Sequence, residues 1–132
     1  MTVKADQSVR NLPGTVLSID AMGGDMGPSP IVLGMAATAS KNPHLKFIVH
    51  GPAEELNSLV RVHKILIGRC EVRHCEEKVS MLDKPSQIIR NGRSTSMWSA
   101  LECVRNGEAE VCVSCGNTGA LMAMSMIRLR KL

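Results

Sequence analysis

The chain has 132 residues, of which 44% are apolar, 2% aromatic and 21% charged, and its formal charge is +4. That balance excludes a disordered tail, and no stretch approaches the roughly 18 uninterrupted apolar residues of a spanning helix. One Trp, one Phe and no Tyr leave almost no base-stacking platform, and the Lys and Arg residues are scattered, so the charge is read as a solvated surface plus a local anion site rather than a nucleic-acid interface.

Met1 to Gly14 reads as a flexible polar segment without the apolar core of a secretory signal. From residue 15 to 132 the pattern is that of the N-terminal part of a single α/β domain. Thr15 to Asp20 reads as a short buried strand running into a glycine cluster. Ile31 to Ser40 has helical spacing behind Pro28 and Pro30, and Asn42-Pro43 stops it. Leu45 to His50 is a second strand, Pro52 to Lys64 a second helix and Glu71 to His74 a third strand. Cys75 to Lys84 has mixed charge and no period, as irregular segments bordering sites often do. A short helix is expected over Pro85 to Asn91 and a longer one over Met97 to Arg105, closed by Asn106-Gly107. Ala109 to Ser114 reads as another buried strand, and Gly119 to Leu129 as a helix, Met-rich from Leu121 and read as a core element, with membrane contact as the alternative.

This alternation predicts a mainly parallel sheet covered by helices on both faces, a three-layer α/β/α arrangement. Ligands on such sheets bind outside the carboxyl ends of the strands, which singles out the positions after Asp20, His50, His74 and Ser114. His50 and His74 close strands on that side, although a lone His is more often a satisfied structural residue.

Three motifs carry chemistry. In Asp20-Ala21-Met22-Gly23-Gly24-Asp25 two glycines let the backbone approach a ligand or another segment closely, and two carboxylates bracket the turn. Those carboxylates either orient a polar group or cap the turn and the following helix. Ser114-Cys115-Gly116-Asn117-Thr118-Gly119 joins a strand to a helix, where amides and the helix dipole favour an anion such as phosphate. No Lys follows the second glycine, so it is not a nucleoside-triphosphate loop; the structural alternative is an ordinary N-cap at Asn117 or Thr118. In Asp83-Lys84-Pro85-Ser86-Gln87-Ile88-Ile89-Arg90, Ser86 and Arg90 stand one helical turn apart, suited either to an anion or to solvent.

Cys112-Val113-Ser114-Cys115 suggests a redox or zinc pair. Extended chain would hold the two sulfur-bearing residues about 10 Å apart, too far for a disulfide, and no second ligand pair follows. Both thiols are therefore expected to be buried and inert. An odd cysteine count fits a reducing, cytoplasmic setting.

Taken in order, the strand from Val16, the Asp20–Asp25 turn, Lys84-Pro85-Ser86 with Arg90, Ser96-Met97 and Ser114-Cys115-Gly116-Asn117-Thr118-Gly119-Ala120-Leu121-Met122 resemble the phosphate acyltransferases of bacterial phospholipid synthesis. The resemblance implies a Rossmann-like fold akin to phosphotransacetylase and isocitrate dehydrogenase, and a homodimer. It implies transfer of a fatty acyl group from acyl-(acyl carrier protein) to inorganic phosphate, without metal or organic cofactor. It also implies peripheral association with the inner membrane face and contact with a membrane acyltransferase that consumes acyl phosphate. The family continues well past Leu132, and part of its sheet, dimer contacts and active site would lie there.

On motif chemistry and position, Asn117 and Thr118 are the catalytic candidates. Ser114, Gly116, Gly119, Ser86 and Arg90 are the candidates for phosphate contacts, and Asp20, Gly23, Gly24 and Asp25 for shaping the same crevice. Two alternatives stand beside this: a phosphotransacetylase-like enzyme using a coenzyme A thioester, and a non-catalytic fragment that only binds phosphate or a partner.

Overall fold

The computed structural model describes residues 14–129, apart from Met81, Pro85, Ile88, Ile89 and Asn91. The expected segment Met1 to Gly14 thus lies, save for Gly14, outside the described residues. Four strands, β1 (Thr15–Asp20), β2 (Leu45–Gly51), β3 (Cys70–His74) and β4 (Val111–Ser114), form one sheet in the order β3-β2-β1-β4 with every pair parallel. The helices are α1 (Ser29–Lys41), α2 (Ala53–Val62), α3 (Ser96–Arg105) and α4 (Thr118–Arg128). Short 3-10 turns occupy Lys64–Leu66 and Gly92–Ser94. The expected three-layer α/β arrangement is the one observed.

Local chemistry explains the ends. Asn42 Nδ2 donates to the Thr38 carbonyl behind α1, and the Arg69 guanidinium donates to the carbonyls of Ala39, Asn42 and Leu45, closing the α1–β2 turn. Thr95 and Asn117 cap α3 and α4, their side chains accepting from Trp98 N and Ala120 N. Gly107 takes a φ of 80° beyond α3, a conformation that glycine adopts without strain. Helix α2 is shorter than expected because His63 is extended (φ −106°, ψ 96°) and starts a new turn. Ser86, Gln87 and Arg90 are helical, but the rest of the expected 85–91 helix lies outside the described residues.

The two sheet faces are packed differently. Alternate residues of β1 and β2 (Leu17, Ile19, Phe47, Val49) meet Val32, Met35, Ala36 and Ala39 of α1 and Leu56 and Val60 of α2. Helices α3 and α4 cover the opposite face, through Met97, Leu101, Ala120 and Met124 over Cys112, and through Cys103 over Val16 and Ile48.

Two sequence expectations need correction. β4 is not a buried strand: it lies at the end of the sheet, and Val111 and Val113 are 46% and 40% exposed because α1 does not reach across to it. Its apolar alternation records a half-covered face, which periodicity alone does not separate from a fully buried one. Helix α4 is core only through Ala120 and Met124, while Met122 and Met126 face outward at 61% and 71% exposure.

Candidate functional site

The chain steps outward from β1 to β2 to β3, then returns through residues 75–95 and α3 to lay β4 on the other side of β1. Strand order therefore reverses between β1 and β4, where open α/β sheets place their ligand crevice. Asp20 ends β1 directly beside Ser114, which ends β4. The Asp20 side chain is buried, and it accepts from Ser96 Oγ (2.6 Å) and Met22 N (3.1 Å) at Oδ1 and from Ser114 Oγ (2.8 Å) at Oδ2. Gly116 N donates in turn to Ser114 Oγ at 3.2 Å.

The two glycine turns touch. A Cβ on Gly23 would come within 2.6 Å of Gly116 N and 2.8 Å of Gly116 Cα, and one on Gly116 within 2.9 Å of Gly23 Cα. Backbone-to-backbone contact at this range admits glycine alone at both positions. Gly24, by contrast, has open space where its Cβ would be.

Asn117 is buried and fully engaged. Its Oδ1 accepts from Ala120 N, and its Nδ2 donates to the carbonyls of Ser80 and Asp83 at 3.0 and 2.9 Å. It therefore both starts α4 and pins the irregular 80–83 segment against the loop. Thr118 and Gly119, the first two residues of α4, are exposed, and their amides bond nothing among the described residues. Such first-turn N–H groups, at the positive end of the helix dipole, suit an anion.

The pinned segment and the Gly23 turn enclose a cavity of about 260 Å³ lined by Met22, Gly23, Gly24, Asp25, Lys78, Val79 and Ser80. Lys78 supplies its positive charge. No spacing in the chain singles out this residue; the irregular character of the segment that holds it is the one signal. Ser86 and Arg90 are exposed, and their side chains make no hydrogen bond or ion pair among the described residues. The structure thus draws Asp20, Gly23, Gly24, Asp25, Ser114, Gly116, Asn117, Thr118 and Gly119 to one end of the sheet, and leaves the side chains of Ser86 and Arg90 outside the bonded cluster.

His50, the penultimate residue of β2, stands beside Asp20 in register, yet it is wholly buried beneath α3. Ser18 Oγ gives its only proton to the Ala100 carbonyl, so the 2.9 Å contact to His50 Nε2 must be donated by the imidazole. Ser99 Oγ then donates to Nδ1 at 2.7 Å. Burial, and secondarily the Arg73 guanidinium, lowers the His50 pKa to about 4 and keeps the ring neutral. Arg73 is itself held by a two-pronged pair with Glu108 and by Glu71. His74 is exposed and accepts from Ala53 N at the start of α2.

All five cysteines are free. Cys115 is exposed and Cys112 only partly buried, which corrects the expectation of two buried thiols: Cys115 sits on the open loop, beyond the strand that partly shelters Cys112. Burial pushes Cys70 and Cys112 up to about 12 and Cys103 to about 11, so these three stay protonated and weakly nucleophilic near neutrality. Among the described residues no three His, Cys, Asp or Glu side chains cluster as metal ligands.

A family model described as "fatty acid synthesis protein" matches residues 15–132. The chain belongs to the fatty acid synthesis protein family. It is 60% identical over 132 residues to a phosphate acyltransferase of a Ruegeria species, covering 100% of this chain and 35% of that protein. It is also 60% identical to the phosphate acyltransferases of Dinoroseobacter shibae (91% of this chain, 31% of the relative) and Paracoccus denitrificans (90% and 32%). The chain thus spans about a third of the length of these curated relatives. Within the fatty acid synthesis protein family, the matched region holds every element of the β1–β4 crevice.

Proposed function

We propose that this chain supplies the phosphate-binding crevice of an enzyme that reversibly transfers a fatty acyl group from acyl-(acyl carrier protein) to inorganic phosphate, giving acyl phosphate for phospholipid synthesis. One observation carries the reading: the Ser114–Gly119 loop meets the Gly23 turn where strand order reverses, and the amides of Thr118 and Gly119, without partners among the described residues, open there at a helix N-terminus. The names of the relatives supply the acyl-transfer chemistry.

Phosphate held at this helix start is placed to attack the thioester carbonyl, with no protein nucleophile required. Proximity and preorganised N–H donors are the effects the crevice contributes. The exposed Thr118 hydroxyl adds a donor, while Asn117 acts by setting the loop rather than by touching substrate. Lys78 balances the charge of the incoming dianion against Asp25 on the same cavity wall. Ser86 and Arg90 are retained as outer anion contacts, a few residues beyond the segment that Asn117 anchors.

The enzyme works at the cytoplasmic face as a homodimer, peripheral to the membrane, and hands acyl phosphate to a membrane acyltransferase. In support of a protein contact, Met122 and Met126 leave an apolar stripe on α4. Acyl phosphate formation by a full-length family member carrying this segment, assayed with acyl-carrier and coenzyme A thioesters in parallel, tests the proposal. Product from the carrier thioester in a phosphate-saturable reaction is the expected result; exclusive use of coenzyme A thioesters removes the carrier protein as donor.

A further inference from the structure

We infer that Ser96, Asp20 and Ser114 form a positioning relay, which sets the loop that receives phosphate without touching phosphate itself. The inference rests on the function proposed above and adds Ser96, the first residue of α3, to the residues that serve it.

Asp20 is 2% exposed, and its carboxylate can only accept hydrogen bonds while ionised. Three donors occupy it: the hydroxyls of Ser96 and Ser114 and the amide of Met22. A buried carboxylate already holding three donors repels a phosphate dianion rather than binding it, so its place at the crevice needs another explanation. Direction supplies one. A serine hydroxyl has a single proton, and Ser114 spends it on Asp20 Oδ2; its lone pairs are then what it presents to Gly116 N–H. Asp20 thus dictates which way the Gly116 amide faces, and that peptide leads through Asn117 into the amides of Thr118 and Gly119.

Ser96 anchors the other side. Its amide donates to the Glu77 carbonyl at 2.9 Å and its hydroxyl to Asp20 Oδ1. Segment 77–83, which carries Lys78 and is tied to Asn117 through Ser80 and Asp83, is therefore coupled to the same carboxylate. Both walls of the crevice are indexed to one buried charge, and charge-assisted bonds of this kind are about twice as strong as neutral ones.

The experiment measures kcat, the phosphate KM and the thermal midpoint for Ser96→Ala, Ser114→Ala, the double variant carrying both alanines, Ser114→Thr and Asp20→Asn in a full-length family member carrying this segment. Ser96→Ala and Ser114→Ala are expected to raise the phosphate KM about tenfold or more with a much smaller change in kcat. Ser114→Thr, which keeps the hydroxyl, restores most of that affinity, and the double alanine variant shows less than the product of the single effects because both act through one carboxylate. A phosphate KM within about twofold of wild type in both alanine variants, with the thermal midpoint lowered, makes the cluster purely structural and overturns the relay. Should Asp20→Asn fail to fold, the serine variants still decide. A wild-type enzyme whose rate ignores phosphate concentration defeats the proposed function first, and is distinguishable because it precedes any variant.

Discussion

Adjacent residues of the same strands live in opposite worlds. On β1 and β2, Leu17, Ile19, Phe47 and Val49 enter an aliphatic layer under α1 and α2, whereas Ser18, Asp20 and His50 face α3 in a layer of hydrogen bonds. The dry layer supplies stability that tolerates conservative exchange, because apolar contact is non-directional. The polar layer is directional and holds together only if every donor finds its acceptor. The crevice grows out of the second layer, which teaches that position at the site is set by polar geometry and merely supported by apolar packing.

Substitutions on the two layers separate them. Phe47→Ala should be the largest effect, about 3–5 kcal/mol of unfolding free energy by denaturant titration, with little dependence on pH. On the opposite side of the same strand, His50→Gln should cost about 1–3 kcal/mol near neutrality. It should also remove an acid sensitivity. His50 has a folded pKa of about 4 against 6.5 for the free group, so between those values the unfolded chain binds the extra proton and stability falls as pH drops. Up to about 3 kcal/mol is lost across that window, and urea midpoints at pH 7 and pH 4.5 should converge between wild type and His50→Gln. A wild-type profile no steeper than the variant's would mean that the imidazole is not neutral and buried.

The glycine turns sharpen the contrast further. Gly23→Ala forces a Cβ into the Gly116 backbone and should cost about 1–3 kcal/mol together with most acyl phosphate formation. Asn117→Ala removes a cap and two loop bonds, and about 0.5–2 kcal/mol is expected, with segment 80–83 more accessible to protease. Gly24→Ala meets open space and should stay within about 0.5 kcal/mol of wild type in the same titration. Equal damage at Gly23 and Gly24 would show that flexibility, not close approach, is what the pair requires.

Much of this was legible in the chain. Strand and helix alternation, the Asn42-Pro43 and Asn106-Gly107 stops and an N-cap at either Asn117 or Thr118 are local properties, written in short runs of residues; that Asn117 is the cap is settled by its bond from Ala120 N. The proximity of the Gly23 and Ser114 motifs followed from the rule for parallel sheets. The exposure of β4 was not legible, because Val111 and Val113 look the same in sequence whether or not a helix covers them. The burial of His50 was also hidden: its partners come from two other elements, Ser18 from β1 and Ser99 and Cys103 from α3, and no spacing announces that they converge. Lys78 joined the crevice because Ser96 and Asn117, both far along the chain, fix the segment that bears it.

The strand order has a consequence for biogenesis. Asp20 and Ser114 are 94 positions apart, and β1 pairs with β2 long before β4 exists on a growing polypeptide. A nascent chain that has emerged only through α3 can assemble three strands and one dry layer, but it leaves the Asp20 carboxylate without its second serine. Closing so long a loop is entropically slow, so ligand-binding competence should arrive as a late kinetic phase, after most of the ellipticity.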